Sequence, residues 1–277
     1  MSDIAKFSGE IYEKFSAGHA IARFLSYLYE NNRTMKKACF LFTILVVATL
    51  TSCHRPVAPR FELLTLDTLI GDGTYDCRVE YRFATIANAS KSAALQTIQR
   101  HNIDYFFELE AFEGTAEEAA AESLRQLDRQ LRLPEPVSAG RMECEVSVES
   151  EGTKTDSLLT YAIYRSSYLG GAHGMYTTEY HTYSLTTGRE LTAADLFGPQ
   201  RMEPLAALIR AKLYERYRAT DDDGLAAAGF FPEYISATDN FRFAPGQVVF
   251  CYNPYEIGCY ALGNIEVAID CDTLLAL

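Results

Sequence analysis

The chain has 277 residues, of which 48% are hydrophobic, and a formal net charge of −12. That is enough apolar material for one compact domain of moderate size or two small ones. The acidic balance, with no basic patch, argues against nucleic acid and anionic membrane surfaces as partners.

In chain order, residues 1–34 place Ile4, Phe7, Ile11, Phe15, Phe24 and Leu28 at roughly helical spacing. A different pattern begins at Met35. Met35-Lys36-Lys37 is a basic start, Ala38 to Leu50 is a predominantly apolar run, and Leu50-Thr51-Ser52-Cys53 matches a bacterial lipobox. The thirteen residues of this run fall short of the roughly 20 that a spanning helix needs, so a cleaved signal fits better than a membrane span. The expectation is a lipoprotein signal peptide at 35–52, lipidation at Cys53 and an upstream start-site extension at 1–34. The alternative is a cytoplasmic segment ahead of a membrane anchor. "CHRPVAPR" opens a proline-containing tether over 53–62. No acidic run follows Cys53, which favours the periplasmic face of a Gram-negative envelope with a lipid anchor in the membrane.

Beyond the tether, "YDCRVEYRFAT" alternates cleanly and predicts a strand with Cys77, Val79, Tyr81 and Phe83 inward. "SKSAALQTIQRHNIDYFFE" predicts a helix capped by Ser90. "TAEEAAAESLRQLDRQLRL" predicts another, with a Thr115–Glu118 capping box, a stripe of Ala120, Leu124, Leu127 and Leu131, and an end at Pro134 and Pro136. "RMECEVSVES" and "SLLTYAIYRSSY" read as an antiparallel hairpin turning at "GTKTD", and "MYTTEYHTYSL" as a further strand ending at Thr187-Gly188.

A short helical turn capped by Thr192 follows, then a helix with Leu205, Ile209, Leu213 and Tyr217 on one stripe, closed by "DDDG". "NFRFAPGQVVFCYN" predicts a hairpin across Pro245-Gly246, and "IEVAID" a last strand with Ile265, Val267 and Ile269 inward. The predicted class is α+β: antiparallel sheet with helices packed on it, in two subdomains at 63–138 and 139–277. Five cysteines follow Cys53: Cys77, Cys144, Cys251, Cys259 and Cys271. Cys77, Cys144 and Cys271 fall on apolar strand phases and predict buried thiols. No C-x-x-C pair suggests a zinc knuckle or a thioredoxin-like site.

Two separated blocks resemble one family. "YLGGAHGMYTTEYHTYSLTTGRELTAADLF" carries a Gly-Gly-Ala-His-Gly turn, a strand, Thr187-Gly188, and Leu191 with Asp195-Leu196-Phe197. "DNFRFAPGQVVFCYNPYEIGCYALGNIEVAI" carries an Asn-Phe hairpin, Asn-Pro-Tyr-Glu-Ile and Tyr-Ala-x-Gly before the last strand. Both are similar to domain of unknown function three-two-nine-eight, known from RsiV-type anti-sigma factors and PdaC-type peptidoglycan deacetylases. Thr182-Tyr183-Ser184 and Cys259 depart from the family pattern. The resemblance covers roughly 160–271, with a looser likeness to the usual partner domain over 60–150. It implies an envelope lipoprotein acting as a non-catalytic binding or sensing module for cell-wall glycan (peptidoglycan) or a wall-active, lysozyme-like protein. An anti-sigma-type regulator and a wall-modifying enzyme are the alternatives.

The candidate ligand-binding residues are Tyr168, Gly170, Gly171, His173, Tyr176, Tyr252 and Tyr255. Tyrosine offers an apolar body with a polar tip, suited to glycan or protein surfaces, although the absence of Trp disfavours a glycan-stacking platform. His173, Glu179 and His181 share strand parity and could form a metal site only if the glycines of 170–174 do not turn. With a turn there, no metal site, catalytic residue or cofactor is expected.

Overall fold

The computed structural model describes residues 56–132 and 142–277. The segments expected to be the extension, the signal peptide and the lipidation site Cys53, like Pro134 and Pro136, lie outside the described residues. The class is α+β. Eight strands form two sheets, and six α-helices accompany them among the described residues.

The first sheet has five strands in chain order: β1 (Phe61–Gly71), β2 (Tyr75–Ile86), β3 (Met142–Thr155), β4 (Leu158–Tyr168) and β5 (Met175–Ser184). All neighbours are antiparallel except β2 and β3, which are parallel. Parallel neighbours need a long crossover. It contains α1 (Ala93–Phe107) and α2 (Ala116–Leu131). These helices cover the inward face of β2, where Cys77, Val79 and Phe83 are fully buried. Phe83 meets Phe106 and Phe107 of α1 at centroid distances of 4.9 and 5.3 Å. The capping box forms as expected: Thr115 accepts from Glu118 N–H, and the Glu118 carboxylate accepts from Thr115 N–H.

The second sheet, β6 (Phe241–Ala244), β7 (Gln247–Tyr252) and β8 (Ile265–Asp270), is antiparallel. Around it lie α3 (Ala193–Phe197), α4 (Met202–Tyr217), α5 (Asp222–Ala227) and α6 (Cys271–Ala276). Leu205, Ile209 and Leu213 of α4 pack in one core with Phe241, Phe250 and Ile265.

Several expectations are corrected. The first helix starts after Ser92, and a 3-10 turn occupies Ala89–Lys91, so Ser90 is not its cap. The β3–β4 hairpin turns at Asp156-Ser157, and "GTKT" stays in β3. Asp156, with φ +51°, takes the left-handed position that the two-residue turn needs. "DDDG" opens a helix: Asp221 caps α5 through Gly224 N–H, at 2.9 Å. A break at 138/139 does not divide the first sheet, because β2 and β3 pair across it. The first core draws on residues up to Leu185, and the second on residues from Leu191 onward together with Leu158 of β4.

The sheets are joined at β5. Its outer backbone edge meets two asparagine side chains. The Asn240 Oδ1 accepts from Tyr180 N–H (2.9 Å), and its Nδ2 donates to the Thr178 carbonyl (2.8 Å). Asn253 Oδ1 accepts from Thr178 N–H (2.7 Å). One amide thus imitates one residue of a neighbouring strand. Asn240→Ala leaves a donor and an acceptor on β5 without partners and should cost about 2–4 kcal/mol, read as a lower urea midpoint; an unchanged midpoint would show that the clasp is dispensable.

Candidate functional site

Residues 169–174 form a turn between β4 and β5. Gly170 has φ +84°, and a Cβ at Gly174 would sit 2.8 Å from the Ser167 carbonyl oxygen, so both positions require glycine. At Gly171 a Cβ would meet nothing nearer than 3.8 Å. The Gly174 carbonyl accepts from His173 Nδ1 (2.8 Å) and from the Tyr260 hydroxyl (2.8 Å). That second bond ties the turn to the connection between β7 and β8.

An aromatic cluster results. The His173 ring stacks on Tyr260 at 4.0 Å, and Tyr176 and Tyr255 each lie 5.8 Å from Tyr260. Tyr255 is half exposed and has φ +72°, a left-handed conformation rare for an aromatic residue. It is held there by its N–H donating to Gly258 and by Glu256, which accepts from Asn253 N–H and Nδ2. Tyr168, Leu169 and Met175, at the two ends of the same turn, are also exposed.

Of the residues expected to form a binding surface, Gly170, Gly171 and His173 fall on the turn, Tyr168 and Tyr176 on the strand ends that flank it, and Tyr255 on the connection tied to it. Tyr252 lies elsewhere. It is 2% exposed in the second core, its hydroxyl donating to the Ser236 carbonyl, because strand parity directs it inward. Tyr260, at the centre of the cluster, stands outside the expected set; its signal in the sequence is the tyrosine-rich spacing of "NPYEIGCY".

His173 and His181 are not brought together. The turn intervenes, and His181 lies under α1, stacked on Tyr105 at 3.9 Å and 12°. Its Nδ1 donates to Glu190 (2.7 Å), which also accepts from the Tyr105 hydroxyl (2.8 Å), while its Nε2 lies 3.7 Å from Glu179. Arg165 contacts Glu179 at 3.3 Å and donates to the carbonyls of Tyr105 and Phe106. No group of three or more metal-ligating side chains is positioned to hold an ion among the described residues.

Comparison with known proteins bears on the half of the chain that supplies Tyr255 and Tyr260. Residues 194–272 match the family described as "Protein of unknown function (DUF3298)". The chain carries a DUF3298 domain. A solved structure of a DUF3298 family member from Bacteroides fragilis is similar, with a TM-score of 0.69 and 21% identity, over 79% of this chain and 93% of that one. Another from Pseudomonas aeruginosa gives 0.55 and 16%, over 79% and 94%. At such identities the likeness speaks for the fold alone. No curated protein matches.

Asn240, Asn253, Tyr255 and Tyr260 belong to the DUF3298 domain, whereas His173, Tyr176 and His181 precede it. An open groove of about 340 Å³ lies where the two meet, with Thr160 and Ala162 in its lining and Tyr164, Tyr180 and Arg242 around them. Arg242 is held by Glu266 (3.1 Å), and its guanidinium lies 6.0 Å from the Tyr180 ring centroid.

The His181 cluster makes stability depend on pH. Burial disfavours the charged imidazole, but the Glu179 carboxylate 3.7 Å away and the hydrogen bond to Glu190 outweigh it and raise the pKa above 6.5. Burial likewise disfavours the ionised Glu179 and Glu190, but His181, with Arg165 on the first and Tyr105 on the second, holds both below 4.5. The imidazolium contribution is complete below the unfolded histidine value and is lost as pH rises through the raised one. The carboxylate contributions are complete above the unfolded glutamate value and are lost as pH falls through the lowered ones. Thermal melts should therefore peak between about 4.5 and 6.5, and His181→Gln should flatten the decline on the alkaline side. An equal decline in that variant would assign the pH dependence elsewhere.

Proposed function

We propose that the protein is an envelope lipoprotein, anchored through Cys53 on the periplasmic face of a Gram-negative membrane, and that its RsiV/PdaC-like DUF3298 domain acts as a non-catalytic binding or sensing module. Its partner is cell-wall glycan or a wall-active protein of the lysozyme kind. The observation that carries the reading is Tyr255. An aromatic side chain is kept half exposed on a left-handed backbone that glycine would occupy without strain. Strain retained at an exposed position, with no burial in return, argues for use of the side chain. Tyr255 also stands beside a stacked pair, Tyr260 and His173, fixed by a hydrogen bond to the turn.

Between the two partner classes, the mixture of exposed Tyr168, Leu169 and Met175 with Tyr255 favours a protein. Interface centres are enriched in tyrosine and methionine. The turn and the connection are cross-braced, so little ordering cost remains on binding.

Two arms test the reading: pull-down on insoluble peptidoglycan and on immobilised lysozyme. Retention on either one supports it, and clean failure on both removes it. Tyr255→Ala should weaken binding at least tenfold, in line with loss of a central aromatic anchor. Tyr255→Gly should weaken it similarly while stabilising the fold by about 1 kcal/mol. If Tyr255→Gly binds as well as the wild type, the strained tyrosine has no part in recognition.

A further inference from the structure

Cys77 and Cys144 face each other in the parallel pairing of β2 and β3, in direct register. Both side chains point into the first core, at 0% and 6% exposure, and belong to the same cluster of buried residues. Adjacent strands are about 4.8 Å apart, and a disulfide spans Cα atoms about 4.4–6.8 Å apart. Two cysteines in register, on one face of neighbouring strands, therefore meet the main geometric condition for a bond. Both are free thiols here. The other described cysteines lie on other elements: Cys251 on β7, Cys259 in the connection to β8, and Cys271 at the start of α6.

We infer that Cys77 and Cys144 are a cross-linking site, at which thiol–disulfide exchange joins β2 to β3. One cysteine loses its proton, and its thiolate attacks the disulfide of a small-molecule or protein oxidant, releasing one oxidant thiol. The second thiolate attacks the mixed disulfide and releases the other. Two cysteine thiols are oxidised, one external disulfide is reduced, and the two protons leave on the released thiols. Within the finished core, burial and the neighbouring thiol push Cys77 up to about 12, and burial also raises Cys144. The thiolates that exchange requires are therefore scarce in the folded protein. The reaction belongs to an open state, before the helices close over β2.

The bond would have a specific structural effect. β2 and β3 are the one parallel pair in the sheet, joined through a crossover that contains both α1 and α2. Cross-linking strands so distant in sequence restricts the unfolded chain more than a short-loop disulfide would.

The test uses the full chain, reduced in denaturant and refolded in oxidised and reduced glutathione. Remaining thiols are then blocked with a maleimide under denaturing conditions, and the protein is digested without reduction. Mass spectrometry should find the Cys77 and Cys144 peptides joined, two hydrogens lighter than the separate pair, with Cys251, Cys259 and Cys271 blocked. Adding reductant should lower the denaturation midpoint of the oxidised wild type but leave that of a Cys77→Ala, Cys144→Ala double variant unchanged. Refolded protein with native circular dichroism but maleimide on both Cys77 and Cys144, or with either one joined to a different cysteine, would overturn the inference.

Discussion

The structure depends on how the exposed edge of β5 is satisfied. A strand edge carries backbone donors and acceptors that need partners; residues 189–191 pair with its C-terminal end, and along Thr178–Tyr180 no sixth strand among the described residues supplies them. Asn240 and Asn253 do so, each reaching across from the DUF3298 domain to Thr178 or Tyr180. Asn264 adds a bond to the Thr178 hydroxyl at 3.1 Å. Because an amide must align with particular backbone groups, the clasp fixes position as well as energy. It sets the β7–β8 connection against the turn at 169–174, and that placement brings Tyr260 onto His173. The aromatic cluster is thus a consequence of edge satisfaction at a neighbouring stretch of the same strand.

Much of this was legible locally. The alternation in "YDCRVEYRFAT", the Thr115 box and the Pro245-Gly246 hairpin were read correctly because each signal lies within one element. β1 was missed. It is an edge strand whose leucines fall on both faces, Leu64 and Leu66 partly covered and Leu63 and Leu69 exposed, so its period of two is blurred. The parallel pairing of β2 with β3 was out of reach because local pattern carries no information on partners far away in sequence. "DDDG" is ambiguous between an ending and a start because Asp221, a capping residue, follows a helix as closely as it precedes one.

The site was half legible for similar reasons. The glycines of the turn announce themselves through backbone geometry, and Tyr255 through its motif. Which tyrosines reach the surface is decided by strand parity and by the clasp. Tyr252 and Tyr255 are three residues apart, one on β7 and one past its end, and only the second escapes the core. His181 and Glu190 meet because the chain reverses at Gly188, which has φ +77°. Strand parity alone puts His173, Glu179 and His181 on one face; the turn at 169–174 takes His173 away and leaves Glu179 beside His181.

The clasp also makes the first sheet asymmetric. One margin, β5, is closed by side chains and can accept no further strand along the clasped stretch. The other margin, β1, runs eleven residues from Phe61 to Gly71 with its outer backbone unpaired among the described residues. Lengthening of this ribbon, by a segment of another molecule or by a second copy, has a single open terminus. The acidic side chains of Glu62 and Asp67 stand along that terminus, and charge at an open margin discourages indiscriminate stacking of sheets.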